Sequence, residues 1–375
     1  MAKKGNSILN RLIKASGNKY AAAILDCDVY DITDYYDTGS YMMNMLLSGD
    51  MFRGMPAGKV FELSGETGTG KSYLAMAVLF NFVKTSKNNY VWLHESEKSI
   101  LQEKIRPHLT EEENQRFVVA PVVHLEELIT ESANLMKEFK AIKEETPEIN
   151  LMYSLDSLGM LTSRVELEKA IKGDESKVMS KQAKIAAYFN LISMDLAKMK
   201  IPFIYTNHLY LDIMKASQKY VKETDKHITS GGKGVMFCPD VKIRLMKKRF
   251  KDEDTGIQSG ITVKAIPTKS RFIASDISKI EFQILFKVGM DRYSGLFEFL
   301  ENHDLLQKKR MGPHGTELSI PECGFKTTTK EMKGKPKSEF FTKEVLEFIN
   351  KKFQSLYLLE SQEDTKFIDG IEGAE

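Results

Sequence analysis

The residues Gly65, Glu66, Thr67, Gly68, Thr69, Gly70, Lys71 and Ser72 spell the pattern G-x-x-x-x-G-K-[ST]. That spacing suits the binding of a polyphosphate. Glycines at 65, 68 and 70 let the backbone wrap around the phosphates with its N–H groups pointing inward. Lys71 supplies a point charge for the β and γ phosphates, and the Ser72 hydroxyl a ligand for Mg²⁺. The flanks give the pattern mechanical meaning. The strand-like run at 60–63 precedes it, and Leu74, Ala77, Val78 and Phe82 follow at helical spacing, so strand, loop and helix come in the order a phosphate-binding loop needs.

Holding Mg²⁺ takes a further carboxylate, and open α/β folds gather their ligands at the carboxyl edge of the sheet. Asp156 fits, because it closes the apolar run 151–155. Hydrolysis also needs a group that orients or deprotonates water. Glu95 and Glu97 stand one pleat apart after the run 91–94, and their spacing does not choose between them. A third run ends in Thr206, Asn207 and His208, whose polar ends can sense a γ-phosphate.

Positioning these groups takes a sheet. From about residue 34 to residue 306, strand-like runs at 60–63, 91–97, 116–122, 150–157, 201–208, 240–248, 260–270 and 279–286 alternate in the early part with helix-like stretches at 99–104, 125–142 and 180–200. The alternation predicts a largely parallel sheet with helices on both faces. The last three runs have short connections and are expected to pair antiparallel at one edge. Residues 6–25 read as an amphipathic helix with Ile8, Leu9, Leu12 and Ile13 on one face. That face must cover either the chain's own core or a neighbouring subunit. Residues 311–337, rich in Gly, Pro and Lys, read as an exposed linker, 339–359 as a helix and 360–375 as a loose acidic tail.

Composition narrows the class. With 375 residues, 42% hydrophobic and 28% charged, the chain reads as an ordinary globular protein able to bury a sizeable core. The net charge of +2 leaves any nucleic-acid binding to local clusters of Lys and Arg. Cys27, Cys238 and Cys323 are few, scattered and odd in number, which argues against a disulfide framework or a cysteine zinc site and for a reducing compartment. No window is long and apolar enough to span a bilayer, and the N-terminus has no secretory run, so the expected location is the cytoplasm.

Several stretches carry a resemblance beyond the phosphate loop: RLIKAS (11–16), YMMNMLLSGDMFRGMPAGKVFELSG (41–65), HESE (94–97), SLDS (154–157), Asn207 with His208, SGGKG (230–234), KSR (269–271), FQILF (282–286) and GMDRYSGL (289–296). In their order the chain resembles the RecA-like DNA strand-exchange recombinases, and in local detail the UvsX recombinases of T-even-type bacteriophages, from about residue 6 to residue 306. The resemblance implies an α/β fold with a RecA-like P-loop ATPase core at 34–306, its mostly parallel twisted sheet flanked by helices. A small N-terminal helical segment (1–33) would dock on the adjacent subunit, and a C-terminal appendage (307–375) would hold the linker, helix and acidic tail. Carried over residue by residue, it makes Glu97 the water-activating carboxylate, Asp156 the acid beside Mg²⁺ and His208 the γ-phosphate sensor. Bacterial members usually have Gln at that last position. Lys269 and Arg271 match a basic pair that reaches the ATP of the adjacent subunit.

Two long connections leave the carboxyl edge, at 162–184 and 210–233, and both are rich in Lys. Connections this long usually have a function. In the related recombinases they line the filament axis, which implies that Arg164, Lys172, Lys177, Lys181, Lys215, Lys219, Gly231, Gly232 and Lys233 hold single-stranded DNA. The implied protein is a DNA-dependent ATPase that uses ATP and Mg²⁺, forms homo-oligomeric filaments on single strands and exchanges them with homologous duplex in recombination, repair and replication. Single-strand-binding and loading proteins are the expected helpers, and a bacteriophage protein of this kind would act in the host cytoplasm. A RecA-fold hexameric helicase and a regulatory recombinase paralogue are the alternatives.

Overall fold

Every residue of the strand ahead of the glycine loop is buried, as a strand covered on both faces must be. The computed structural model describes residues 7–18, 21–22, 31–98, 106–173, 180–212, 220, 227–251, 258–274, 280–285 and 289–358. Its strands in chain order are β1 (Tyr35–Tyr36), β2 (Met55–Pro56), β3 (Val60–Gly65), β4 (Asn89–Glu95), β5 (Phe117–Pro121), β6 (Asn150–Asp156), β7 (Phe203–Leu211), β8 (His227–Thr229), β9 (Val241–Lys251), β10 (Gln258–Ser270), β11 (Ile280–Leu285), β12 (Gly289–Met290), β13 (Gln307–Arg310), β14 (Thr316–Ile320) and β15 (Phe325–Thr328). The large sheet runs β12-β11-β10-β9-β3-β7-β6-β4-β5, with β8 paired to the end of β7.

From β9 to β5 all neighbours are parallel. The antiparallel edge expected from the last runs is present as β9-β10-β11, extended by β12, while β9 also lies parallel to β3. Alternation along the strands builds two cores. Phe61, Leu63, Met152 and Ile204 face one side with the helices Tyr41–Ser48 and Lys71–Thr85. Leu151, Tyr153, Leu155, Phe203 and Tyr205 face the other with Leu125–Glu145 and Ser180–Lys198. Leu125, Leu128, Ser132, Met136 and Phe139 form the buried stripe of the first of those two helices, at the three- and four-residue spacing that such a face needs. Arg116 ties the end of the Lys71–Thr85 helix to the sheet: its Nη1 donates to the carbonyls of Val83, Ser86 and Asn89 at 2.9, 2.8 and 2.8 Å.

Four expectations change. The stretch read as an exposed linker holds most of a three-stranded antiparallel sheet, β13-β14-β15, that buries Leu318, Ile320, Phe325 and Thr327. Its Lys308, Lys309, Arg310 and Lys326 stay exposed, so the composition of a linker conceals short, half-buried strands. The N-terminal helix covers only Ser7–Ser16 and stops at Gly17, whose φ of +64° favours glycine. Ile8 and Leu12 are exposed on it. In the described part of the connection at 162–184, Arg164–Ile171 form a helix, and a second helix, Ser180–Lys198, begins before the connection ends. The connection at 210–233 is shortened at its start by β7, which runs to Leu211, and at its return by β8 and the helix Gly232–Phe237.

The C-terminal helix Lys343–Tyr357 packs Val345, Leu346, Ile349 and Phe353 into the same core as the Lys71–Thr85 helix. The Asn350 Oδ1 accepts from the Met51 N–H at 2.8 Å and fastens it. Residues 99–104, Cys27 and the acidic tail lie outside the described residues, as do Lys177, Lys215 and Lys219. Among the described residues no helix is long and apolar enough to cross a membrane.

Candidate nucleotide-binding site

β3 delivers the glycine loop to the carboxyl edge, and each glycine has its own reason to be there. Gly68 and Gly70 adopt φ of +72° and +89°, the left-handed region that side chains disfavour. A Cβ on Gly65 would lie 2.7 Å from the backbone oxygen of Leu245 on β9. The helix that opens at Lys71 has no side-chain cap at its start, so its first N–H groups and its dipole are free for an anion. Lys71 is almost wholly buried, and its Nζ donates to the carbonyls of Gly65 and Glu66 at 3.0 and 2.9 Å. Burial lowers its pKa and the nearby Lys247 adds to that, against the opposing pull of Glu97 and Asp156.

Asp156 ends β6 beside Glu95 at the end of β4. Its buried carboxylate accepts hydrogen bonds from the hydroxyls of Thr206 and Ser72. Burial nevertheless raises its pKa, and the charges of Glu97 and Glu95 push the same way. Ser72 and Asp156 together present the hard oxygen donors that Mg²⁺ prefers. Among the described residues no group of three or more His, Cys, Asp and Glu could hold a metal ion unaided. A cation here would complete its shell from phosphate and water.

The two candidate bases part company. Glu95 is buried at the strand end. Glu97 lies past it, followed by Lys98 at φ +54°, and its Oε1 is 2.7 Å from the His208 Nε2. Burial pushes the Glu97 carboxyl up, but Ser157, His208 and Lys71 outweigh it and leave the pKa below the usual glutamate value. His208 faces Gly65 across the β3–β7 register, which brings the end of β7 against the phosphate loop. The peptide bond between Asp156 and Ser157 is cis, and the Ser96 hydroxyl donates to the Ser157 carbonyl at 2.7 Å.

Sequence reasoning missed Glu62 and Lys247 as parts of this site, and it named Asn207 without its partners. Glu62, fully buried in β3, pairs with the Lys242 Nζ at 3.1 Å and accepts from the Tyr205 hydroxyl at 2.9 Å. Asn207 extends this cluster: its Nδ2 lies 3.4 Å from the Glu62 Oε1 and 2.9 Å from the Ser230 carbonyl, at the return of the 210–233 connection. Lys247 reaches the glycine loop from β9, its Nζ donating to the Thr67 carbonyl at 3.1 Å. An available signal was the alternation of Lys242 and Arg244 with Val241, Ile243 and Leu245, which sets a row of cations beside β3.

No protein-family model matches the chain. Individual relatives do. The chain is 26% identical over 321 residues to the recombination and repair protein of Enterobacteria phage T4, covering 85% of this chain and 76% of that one. It is 25% identical over 293 residues to the RecA protein of Methylococcus capsulatus, covering 76% and 74%. With the RecA protein of Mycoplasmopsis pulmonis the identity is 23% over 310 residues, 81% of each. Across most of its length the chain is similar to RecA-like recombinases.

In this chain Lys269 and Arg271 sit far from the glycine loop of the same copy. The Arg271 Nε pairs with the Asp240 Oδ1 at 3.3 Å, and the Asp240 Oδ2 accepts from the N–H of Val60, the first residue of β3. Gly65 closes that strand, about 16 Å further on at the usual rise per residue. The Lys269 Nζ donates to the carbonyls of Met236 and Phe237 at 3.4 and 2.7 Å, where the Gly232–Phe237 helix ends. Of the residues expected to hold DNA, Arg164 pairs with Glu127 at 3.1 Å, the Lys181 Nζ donates to the Gly159 carbonyl at 3.3 Å and Lys172 is exposed. Gly231 takes φ +106° just before the helix that contains Gly232 and Lys233.

Proposed function

We propose that the protein is a DNA-dependent ATPase that polymerises head to tail on single-stranded DNA, aligns it with homologous duplex and exchanges strands, in the cytoplasm, that of the host if the chain comes from a bacteriophage. The supporting observation is the convergence on one sheet edge of the glycine loop, the buried Lys71, Ser72 bonded to Asp156, and Glu97 bonded to His208. Loop N–H groups and Lys71 would grip the phosphate chain of ATP. Ser72 and Asp156 would hold Mg²⁺, which when bound neutralises charge between the β and γ phosphates. Glu97 would accept the proton of the attacking water, and its low pKa keeps it ionised for that step. His208 would report the state of the γ-phosphate to the 210–233 connection through β7.

Lys269 and Arg271 would complete the site of the neighbouring copy, as an arginine finger does. In support, they lie at the start of β3 while the phosphates of their own chain would lie past its end. Contacts of this heterologous kind need not close, and open filaments follow. The exposed apolar face of the Ser7–Ser16 helix would dock on the adjacent copy, which answers what covers it.

ATP turnover that rises with both single-stranded DNA and protein concentration, with open filaments by electron microscopy, is the expected behaviour; closed rings would favour a helicase instead. Charge reversal of Lys172 and Lys233 to Glu together tests the DNA loops. Single-strand affinity should fall, and the slope of log affinity against log salt should become shallower by about 1.4 if each lysine meets one phosphate. An unchanged slope in a salt titration would remove both residues from the interface.

A further inference from the structure

Lys247 belongs to none of the roles above, yet it stands at the phosphate loop. It lies two residues beyond Leu245, the β9 partner of Gly65, and its chain is otherwise exposed. Its Nζ donates to the Thr67 carbonyl at 3.1 Å and would lie 2.9 Å from a Cβ placed on Gly68. A planar trans peptide unit points its C=O and its N–H in opposite directions. Drawing the Thr67 oxygen toward β9 therefore turns the Gly68 N–H to the other side of the loop. Gly68 can follow, because its φ of +72° is open to glycine.

Charge adds a second argument. Lys71 and Lys247 both bond carbonyls of one short loop, at Gly65, Glu66 and Thr67. Two ammonium groups so close repel one another. An anion bound in the loop relieves it, and a chain of phosphates does so more than a single one. We propose that Lys247 is a positioning residue of the phosphate loop: it clamps the Thr67 carbonyl from outside, keeps the Gly68 N–H available to the phosphate chain and adds a second positive charge to that of Lys71. The inference rests on reading residues 65–72 as a triphosphate site.

The test is calorimetric titration of adenosine, AMP, ADP and ATP into wild type, Lys247→Met and Lys247→Arg, all without DNA. Lys247→Met should weaken ATP about tenfold, the worth of one charge-assisted hydrogen bond. The loss should shrink from ATP to AMP and vanish for adenosine, and Lys247→Arg should restore most of it. An equal loss for adenosine and ATP would mark Lys247 as merely structural and overturn the inference. So would unaltered ATP binding by Lys247→Met, including the case in which only its affinity for single-stranded DNA falls. A wild-type protein that bound no nucleotide would defeat the reading of the loop itself, a result distinct from wild-type binding beside an indifferent variant.

Discussion

Glu97→Gln should lower ATP turnover about a thousandfold while leaving ATP-dependent binding to single-stranded DNA intact. The substitution keeps the size of the side chain and its ability to bond the His208 ring, which stands 2.7 Å away in the native protein. It removes the capacity to accept a proton. The native carboxylate is suited to that task because Ser157, His208 and Lys71 offset its burial and hold it ionised. Phosphate release and fluorescence anisotropy on a labelled strand measure the two halves of the expectation. Hydrolysis at the wild-type rate would hand the role to Glu95, which is buried at the strand end.

The larger effect is expected from Lys269→Ala combined with Arg271→Ala, which should reduce turnover by about 10³-fold or more, as loss of an arginine finger does. Nucleotide binding to the unassembled subunit should change little, since both cations sit at the far end of β3 from the phosphate loop. Mixing separates this from a local defect. Glu97→Gln subunits retain both cations, and the double variant retains its carboxylate. Neither should turn over ATP alone, whereas an equal mixture forms intact sites at about a quarter of its contacts if the halves come from different copies. A mixture as inactive as its components would mean that the cations serve their own chain.

Much of this arrangement was legible because it is local. A phosphate loop is one contiguous stretch with its strand and helix attached, and Asp156 is marked by the apolar run it closes. The choice between Glu95 and Glu97 was not legible from spacing. What separates them is His208, which a parallel register brings from 111 residues away. Glu62 and Lys242 were hidden for a related reason, as each reads as an ordinary charge until the sheet sets them 3.1 Å apart in the core. The sheet β13-β14-β15 was missed because its strands have only 4 or 5 residues and are separated by segments containing Gly315, Pro321 and Gly324. Short strands give too few alternations to stand out from a polar background. The helix Arg164–Ile171 was obscured by its charges, of which Arg164 pairs with Glu127 and Glu166 accepts from the Ser163 N–H.

The length of β3 separates what each copy lends from what it borrows. Its end carries the glycine loop with Lys71, and its start carries Lys269 and Arg271, the pair proposed to serve the phosphates of the next copy. On that proposal a row of n such molecules would contain n − 1 finished junctions, and the two terminal members would each carry an unmatched half. Output per molecule should then climb as (n − 1)/n, so a pair should work at roughly half the rate of a long row. Breaking a row anywhere silences one junction, which makes continuity itself the quantity that fuel consumption reports.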